Sequence, residues 1–163
     1  MASSTNKKVS VVRFDREPLL GIVSPQDYLG ADGIEMLSVS GSLITVPYAE
    51  AKAICFLRDY DDADAWKPNR AFGTRPKANG LWVRIVFTDG DTLEGMMAND
   101  LTQLEPAGIS VIPPEPGASA QRIFVPRQAS KSIQVLGVIG SPLRRAQPKS
   151  PAKPPPGQMA MFD

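Results

Sequence analysis

The chain has 163 residues, of which 42% are hydrophobic, so it is long enough for one mid-sized domain or two small ones. It contains no histidine and one cysteine, which excludes an intramolecular disulfide and any metal site built from several such side chains. Its formal net charge of +1 provides no overall attraction for nucleic acids or membranes. It has no apolar run typical of a signal peptide or a membrane span, so we expect a cytoplasmic protein without a cofactor.

The first third of the chain alternates short apolar segments with polar turns, a pattern typical of β-strands. Residues 1–8 are polar and are expected to be disordered, whereas residues 9–57 are predicted to form a first β unit. Residues 49–52 fit either one helical turn or a bend. Cys55 lies between apolar neighbours, which indicates a buried strand thiol rather than a nucleophile. The predicted strands of this unit are 11–14, 19–23, 34–39, 43–46 and 53–57.

Residues 58–80 are predicted to link two units, because charged residues interrupt the apolar pattern. The segment begins with several aspartates but lacks the glycine and the closing glutamate of a calcium-binding loop. Trp66 and Phe72 leave two possibilities open, since the segment either packs across the β units or runs free between them. We assign Trp66 and Trp82 to packing rather than to a stacking platform for bases.

Residues 81–140 are predicted to form a second β unit that repeats the first. Its strongest hairpin signal is Asp89-Gly90, between two apolar segments. A twelve-residue frame occurs in both units, V-P-x4-K-x-I-x-x-L, at residues 46–57 and 125–136. The frame contains Lys52 in the first unit and Lys131 in the second, which either line equivalent surfaces or keep the edges of the units soluble.

The match between the units extends upstream of this frame. Residues 33–37 correspond to residues 108–112, and residues 12–14 are matched to the segment 83–87. This match leaves one extra residue in the turn of the second unit, at residues 88–91. Several matching segments in the same order predict one structural unit used twice. Because short strands bury too little area as an open sheet, we expect each unit to close into a barrel. The predicted fold is therefore all-β, with two tandem five-stranded barrels.

The order of motifs in each unit resembles the Sm-like family, which includes bacterial Hfq. The resemblance rests on the L-x-G motif ending at Gly21, on Asp27 after it, on the apolar strand that begins at Gly33 and on the repeated frame. It implies Sm-like or SH3-like barrels. The asparagine and the R-G pair that bind RNA in that family have no counterpart here. The chain is also similar to an uncharacterised bacterial family of paired small barrels.

Proline and basic residues dominate residues 141–163, so we predict a disordered, extended tail. Its basic residues are candidate contacts for a nucleic-acid backbone, although solubility alone also explains them. These residues are Arg144, Arg145, Lys149 and Lys153.

The last six residues of the tail include Gln158-Met159-Ala160-Met161-Phe162, which resembles the pentapeptide Q-L-x-L-F that docks bacterial proteins on the DNA polymerase sliding clamp. The resemblance implies that Gln158 anchors the peptide through its amide and that Met159 covers the rim of the pocket. Met161 and Phe162 would fill that pocket, and methionine is a volume-conserving replacement for leucine. The competing interpretations are a chance match and a tail that folds back onto a barrel groove.

We therefore predict a non-enzymatic binding or adaptor protein whose partner is the bacterial sliding clamp. The alternative hypothesis is an Sm-like protein that binds nucleic acid through its barrel surfaces. An enzymatic function is not expected, because the sequence offers no histidine, no metal cluster and no acid–nucleophile pair. The sequence leaves the oligomeric state open.

Overall fold

The computed structural model describes residues 6–60, 66–67, 69–100, 105–114 and 120–140. These residues are all-β, as predicted, with ten strands, and Arg127–Ala129 form a 3₁₀ helix between the last two. None of them belongs to a helix that is long and apolar enough to cross a membrane. The strands are β1 (Lys7–Arg13), β2 (Leu19–Val23), β3 (Gly33–Ser38), β4 (Leu43–Pro47), β5 (Ala51–Leu57), β6 (Gly80–Phe87), β7 (Thr92–Met97), β8 (Gly108–Val111), β9 (Ala120–Pro126) and β10 (Ser130–Ile139).

The strands form two antiparallel sheets, of which the larger contains strands of both repeats. The larger sheet has the order β4-β3-β2-β1-β5-β9-β8, and the smaller has the order β10-β6-β7. The predicted closure into two barrels is not seen among the described strands, which form open sheets instead. The physical reason lies in β9, which pairs with β5 of the first repeat and so takes β8 and β9 into the larger sheet.

Both repeats nevertheless place their five strands in the same order. The first repeat runs β4-β3-β2-β1-β5 across the sheet, and the second runs β9-β8-β7-β6-β10. In the second repeat the contact between β7 and β8 is reduced to one bridge between Met96 and Ile112. The Met96 and Ile112 amides each donate to the other residue's carbonyl oxygen, with N···O distances of 2.9 and 2.8 Å.

The strand register identifies which residues of the two repeats correspond. Val9 lies opposite Gly21 in the first repeat, and Val83 lies opposite Gly95 in the second. Val9 therefore corresponds to Val83, and the first turn has the same length in both repeats. The prediction matched residues 12–14 to the segment 83–87 and placed an extra residue in the β6–β7 turn. That match is wrong, because it followed similar residue types rather than strand pairing.

A glycine at the start of the third strand has the same role in each repeat. Gly33 lies opposite Pro47, and a Cβ atom at this position would clash with the carbonyl oxygen of Val46. Gly108 starts β8 in the second repeat, and a Cβ atom there would clash with the carbonyl oxygen of Val125. The close approach of two backbones thus explains why both repeats carry glycine here.

The hydrophobic core consists of two clusters, and each cluster includes residues of both repeats. The first cluster is formed by residues of the first repeat together with Phe124 of β9. The second is formed mainly by the second repeat but includes Cys55 and Leu57 of β5. Ile54 and Phe56 lie on the opposite face of β5 and belong to the first cluster. All seven residues of β5 are buried, which confirms the predicted buried strand.

The strand bounds differ from the predicted ones by up to four residues, most at the start of β1. β1 begins at Lys7, so Lys7 and Lys8 form part of a strand rather than a disordered terminus. Residues 48–50 form a turn and β5 starts at Ala51, which decides for the bend over the helical turn.

Parts of the predicted linker pack against the second repeat. Asn69, which has a positive φ of 61°, donates its backbone N–H to the carbonyl of Thr92 at 2.8 Å. The ring of Trp66 meets the ring of Phe87 edge-on, with centroids 5.4 Å apart. Of the two possibilities left open by the sequence, packing is therefore observed for the described part of this segment.

Candidate functional site

All of the site residues predicted from the sequence lie in residues 141–163, outside the described residues. They comprise the partner-binding residues Gln158, Met159, Met161 and Phe162 and the basic residues Arg144, Arg145, Lys149 and Lys153. Their roles therefore remain predictions. The structure does place the point from which the tail departs, since β10 ends at Ile139 opposite Gly80.

The most developed polar site lies at the junction of the two repeats and is centred on Lys52 of β5. Lys52 is 5% exposed, and its Nζ donates to Asp89 Oδ2 at 2.6 Å and to Asp91 Oδ2. Three aromatic rings surround the ammonium group within 5.3–5.7 Å of their centroids. They belong to Phe14, Trp66 and Phe87. Aromatic faces attract a cation, so this cage holds the charge of Lys52 in place.

The turn between β6 and β7 presents both carboxylates to Lys52. Gly90 adopts a positive φ of 97°, and the Asp91 amide donates to Asp89 Oδ1 at 3.1 Å. Burial raises the pKa of Asp89, but the hydrogen bonds from Lys52 and from backbone amides, together with the Lys52 charge, lower it by more than burial raises it. The pKa of Asp89 therefore lies below its ordinary value. The hairpin predicted from Asp89-Gly90 therefore also supplies the acidic half of this junction.

Lys52 and Lys131 occupy the same position in the repeated frame but differ in environment. Lys52 is buried at the junction, whereas Lys131 on β10 is exposed. The interpretation of Lys52 as an exposed edge residue is therefore wrong. The environment differs because the second repeat covers β5, while β10 has a strand neighbour on one side only among the described strands.

Sequence reasoning missed Glu94, a buried carboxylate on β7. Glu94 Oε1 accepts hydrogen bonds from Trp82 Nε1 and from the Phe72 backbone amide, both at 3.1 Å. Glu94 Oε2 accepts from Arg84 at 3.3 Å. Glu94 thus attaches the linker at Phe72 and the Trp82 ring to the smaller sheet. The rings of Trp82 and Phe72 meet edge-on, with centroids 6.3 Å apart. A lone acid inside an apolar strand was the available signal.

The described residues contain few groups suited to covalent or metal chemistry. Cys55 is fully buried on β5, as predicted, and burial raises the pKa of its thiol to about 12 despite the opposing charge of Arg70. A thiol with this pKa stays protonated at neutral pH and is a poor nucleophile. No three acidic or cysteine side chains of the described ranges lie close enough together to hold a metal ion.

A cavity of about 580 Å³ opens where β7 separates from β8. Met96, Ile109 and Val111 contribute apolar walls, and Lys77 and Arg122 lie among the polar residues that line it. A mostly apolar lining of this kind suits an apolar side chain or ligand better than a charged substrate. Met96 and Ile112, which form the single bridge between β7 and the end of β8, both line this cavity.

A protein-family model matches residues 5–137, well over half of the chain. The chain belongs to DUF6982, a family of unknown function. No curated protein and no solved structure matches it. The DUF6982 match contains nearly all of both repeats and ends before the proline-rich tail.

Proposed function

We propose that this DUF6982 protein is a non-enzymatic adaptor that docks on the bacterial sliding clamp through Gln158–Phe162. The observation that carries the proposal is the sequence of the tail, in which a glutamine, two methionines and a phenylalanine follow a proline- and lysine-rich segment. Large apolar residues are uncommon in segments of such composition, so their presence favours a binding role. A cytoplasmic location belongs to the same proposal.

The fold of the described residues is compatible with a folded body formed by the two repeats and a separate binding peptide in the tail. Both hydrophobic clusters are formed from residues that precede the tail, with Ala129 the last member of the second cluster. Residues 140–157 separate β10 from the peptide, and a polyproline-like segment of that length reaches roughly 50 Å. The body would thus leave a partner room to bind the peptide. We further propose that each repeat is an open variant of the Sm-like five-stranded unit, based on the strand order that the two repeats share.

Binding of fluorescently labelled full-length protein to a bacterial sliding clamp tests the proposal. Phe162→Ala and Gln158→Ala are each expected to weaken binding, by about 30-fold for Phe162, because a buried aromatic anchor typically contributes about 2 kcal/mol or more. Leu143→Ala and Gln147→Ala alter the same tail outside the peptide and should bind like the unmodified chain. Equal, weak binding by all five proteins would overturn the proposal.

Two further readouts separate the competing interpretations. If Phe162 instead packed into the cavity beside β7, Phe162→Ala would lower the free energy of unfolding, whereas docking on the clamp predicts unchanged stability. If the repeats bound nucleic acid directly, a chain ending at Gly140 would retain salt-dependent binding to an oligonucleotide. The adaptor proposal predicts loss of clamp binding and no oligonucleotide binding for that shortened chain.

A further inference from the structure

Two of the described strands, β4 and β10, each have one edge without a strand partner. They occupy the same positions in their repeats as β9 and β5, which pair with each other inside the chain. β5 lies between β1 and β9, whereas its equivalent β10 pairs with β6 alone. β9 lies between β5 and β8, whereas its equivalent β4 pairs with β3 alone. The molecule thus forms one such junction internally, between β5 and β9. The two strands that could form a second junction, β10 and β4, are edge strands of the smaller and the larger sheet.

Exposure of equivalent residues follows this difference. Ile54 and Phe56 of β5 are 0% and 4% exposed, but the equivalent Ile133 and Val135 of β10 are 44% and 57% exposed. On the other edge, Leu43 of β4 is 82% exposed. Apolar residues on unpaired strand edges are a template for pairing with another chain.

The register of the internal junction shows that these exposed residues are complementary. Phe56 lies opposite Arg122 in the β5–β9 pair, and the guanidinium of Arg122 lies 4.3 Å from the centre of the Phe56 ring. Copying this register onto the open edges places Val135 opposite Leu43. The contact would then join two apolar residues that are both exposed within a single copy.

Charges repeat in the same manner. Lys52 is paired with Asp89 and Asp91 in the turn after β6, and its equivalent Lys131 is exposed. The turn after β1 has the same length and carries Asp15 and Glu17 at the corresponding positions, both exposed. The described residues form no ion pair with Lys131, Asp15 or Glu17, so this second set of charges is left for another copy.

We propose that copies of this protein associate head to tail, with β10 of one copy paired in antiparallel fashion to β4 of the next. Lys131 then enters the acidic turn of that next copy, as Lys52 enters the turn at Asp89 and Asp91. The interface is heterologous, so it produces a ring if the rotation between copies closes and a filament if it does not. It uses the two repeats alone and is independent of clamp docking by the tail.

Register-specific cross-linking tests the proposal directly. The internal pair Cys55–Ile123 corresponds to Gln134 of one copy opposite Ile44 of the next. In a full-length Cys55→Ala background, chains carrying either Gln134→Cys or Ile44→Cys are oxidised separately and as a mixture. We expect a covalent dimer in the mixture only. A folded mixture that forms no cross-link, or equal cross-linking by each chain alone, would overturn the proposal.

Sedimentation of the full-length protein provides a second test through a charge exchange. Lys131→Glu is expected to raise the dissociation constant of self-association at least about tenfold, because like charges would face each other. Adding Asp15→Lys and Glu17→Lys to that chain should restore association, whereas Lys77→Glu alone should leave it unchanged. An unmodified protein that stays monomeric throughout the micromolar range, or an exchange that restores nothing, would contradict the proposal.

Discussion

Replacing Phe124 with alanine is expected to lower the free energy of unfolding by about 3–5 kcal/mol, the cost typical of deleting a buried aromatic ring. Phe124 lies on β9 of the second repeat but is fully buried in the first cluster, where its ring meets Tyr28 edge-on at 5.9 Å. Urea denaturation followed by tryptophan fluorescence measures the effect. Because β5 contributes to both clusters, we expect the loss to appear in one cooperative transition rather than two.

The repeat supplies a matched control for this prediction. Thr45 occupies the position in β4 that Phe124 occupies in β9, and it is exposed. Thr45→Ala should change stability by less than about 0.5 kcal/mol. A cost below about 1 kcal/mol for Phe124→Ala, far under the usual cost of removing such a ring, would show that the second repeat does not complete the core of the first.

Replacing Lys52 with alanine is expected to destabilise the protein by about 2 kcal/mol. Breaking a fully buried ion pair costs more, but the carboxylates of Asp89 and Asp91 are about a third exposed, so water screens part of the loss. Thermal and urea unfolding of dilute protein measure the effect. Lys131→Ala is the matched control, because Lys131 has the same place in the repeat and is exposed, and its effect should stay within about 0.5 kcal/mol.

The pH dependence of stability offers a separate readout of the same junction. Because the folded-state pKa of Asp89 lies below the ordinary value, its carboxylate stabilises the fold above the unfolded-state value, near about pH 4. That stability is lost as the pH falls through the folded-state pKa. In Lys52→Ala the acid-side loss should be smaller, since the main partner of the carboxylate is gone. An unchanged acid-side slope would mean that Lys52 does not set the pKa of Asp89.

Much of the strand arrangement follows from local sequence patterns. Alternating apolar residues located the hairpins, Asp89-Gly90 marked the turn after β6, and the apolar run around Cys55 indicated a strand buried on both faces. Such a run does not say which strand covers it. The pairing of β5 with β9 is a contact between distant segments, and it is also the reason that closed barrels were wrongly expected.

Two other errors have the same origin in non-local structure. Residues 12–14 were misaligned because short β segments share similar letters, and only strand pairing shows that Val9 corresponds to Val83. Lys52 and Lys131 lie in one sequence frame, yet their environments differ because the second repeat surrounds only Lys52. The prediction for the tail residues rests on a short local motif alone. Because these residues lie outside the described residues, no strand pairing tests that prediction.

The central claim is that the two repeats form one body through antiparallel pairing of β5 with β9, and the single cysteine allows a direct measurement. Cys55 lies opposite Ile123, and directly opposed residues of an antiparallel pair lie at a separation that a disulfide can bridge. Ile123→Cys protein refolded from urea in a glutathione redox buffer, so that both thiols are accessible while the disulfide forms, should contain an intramolecular disulfide between Cys55 and the introduced thiol on a non-reducing gel and by mass spectrometry. Arg122→Cys, whose side chain lies on the other face of β9, should not. Equal disulfide formation by both variants, or none in folded Ile123→Cys protein, would contradict the pairing.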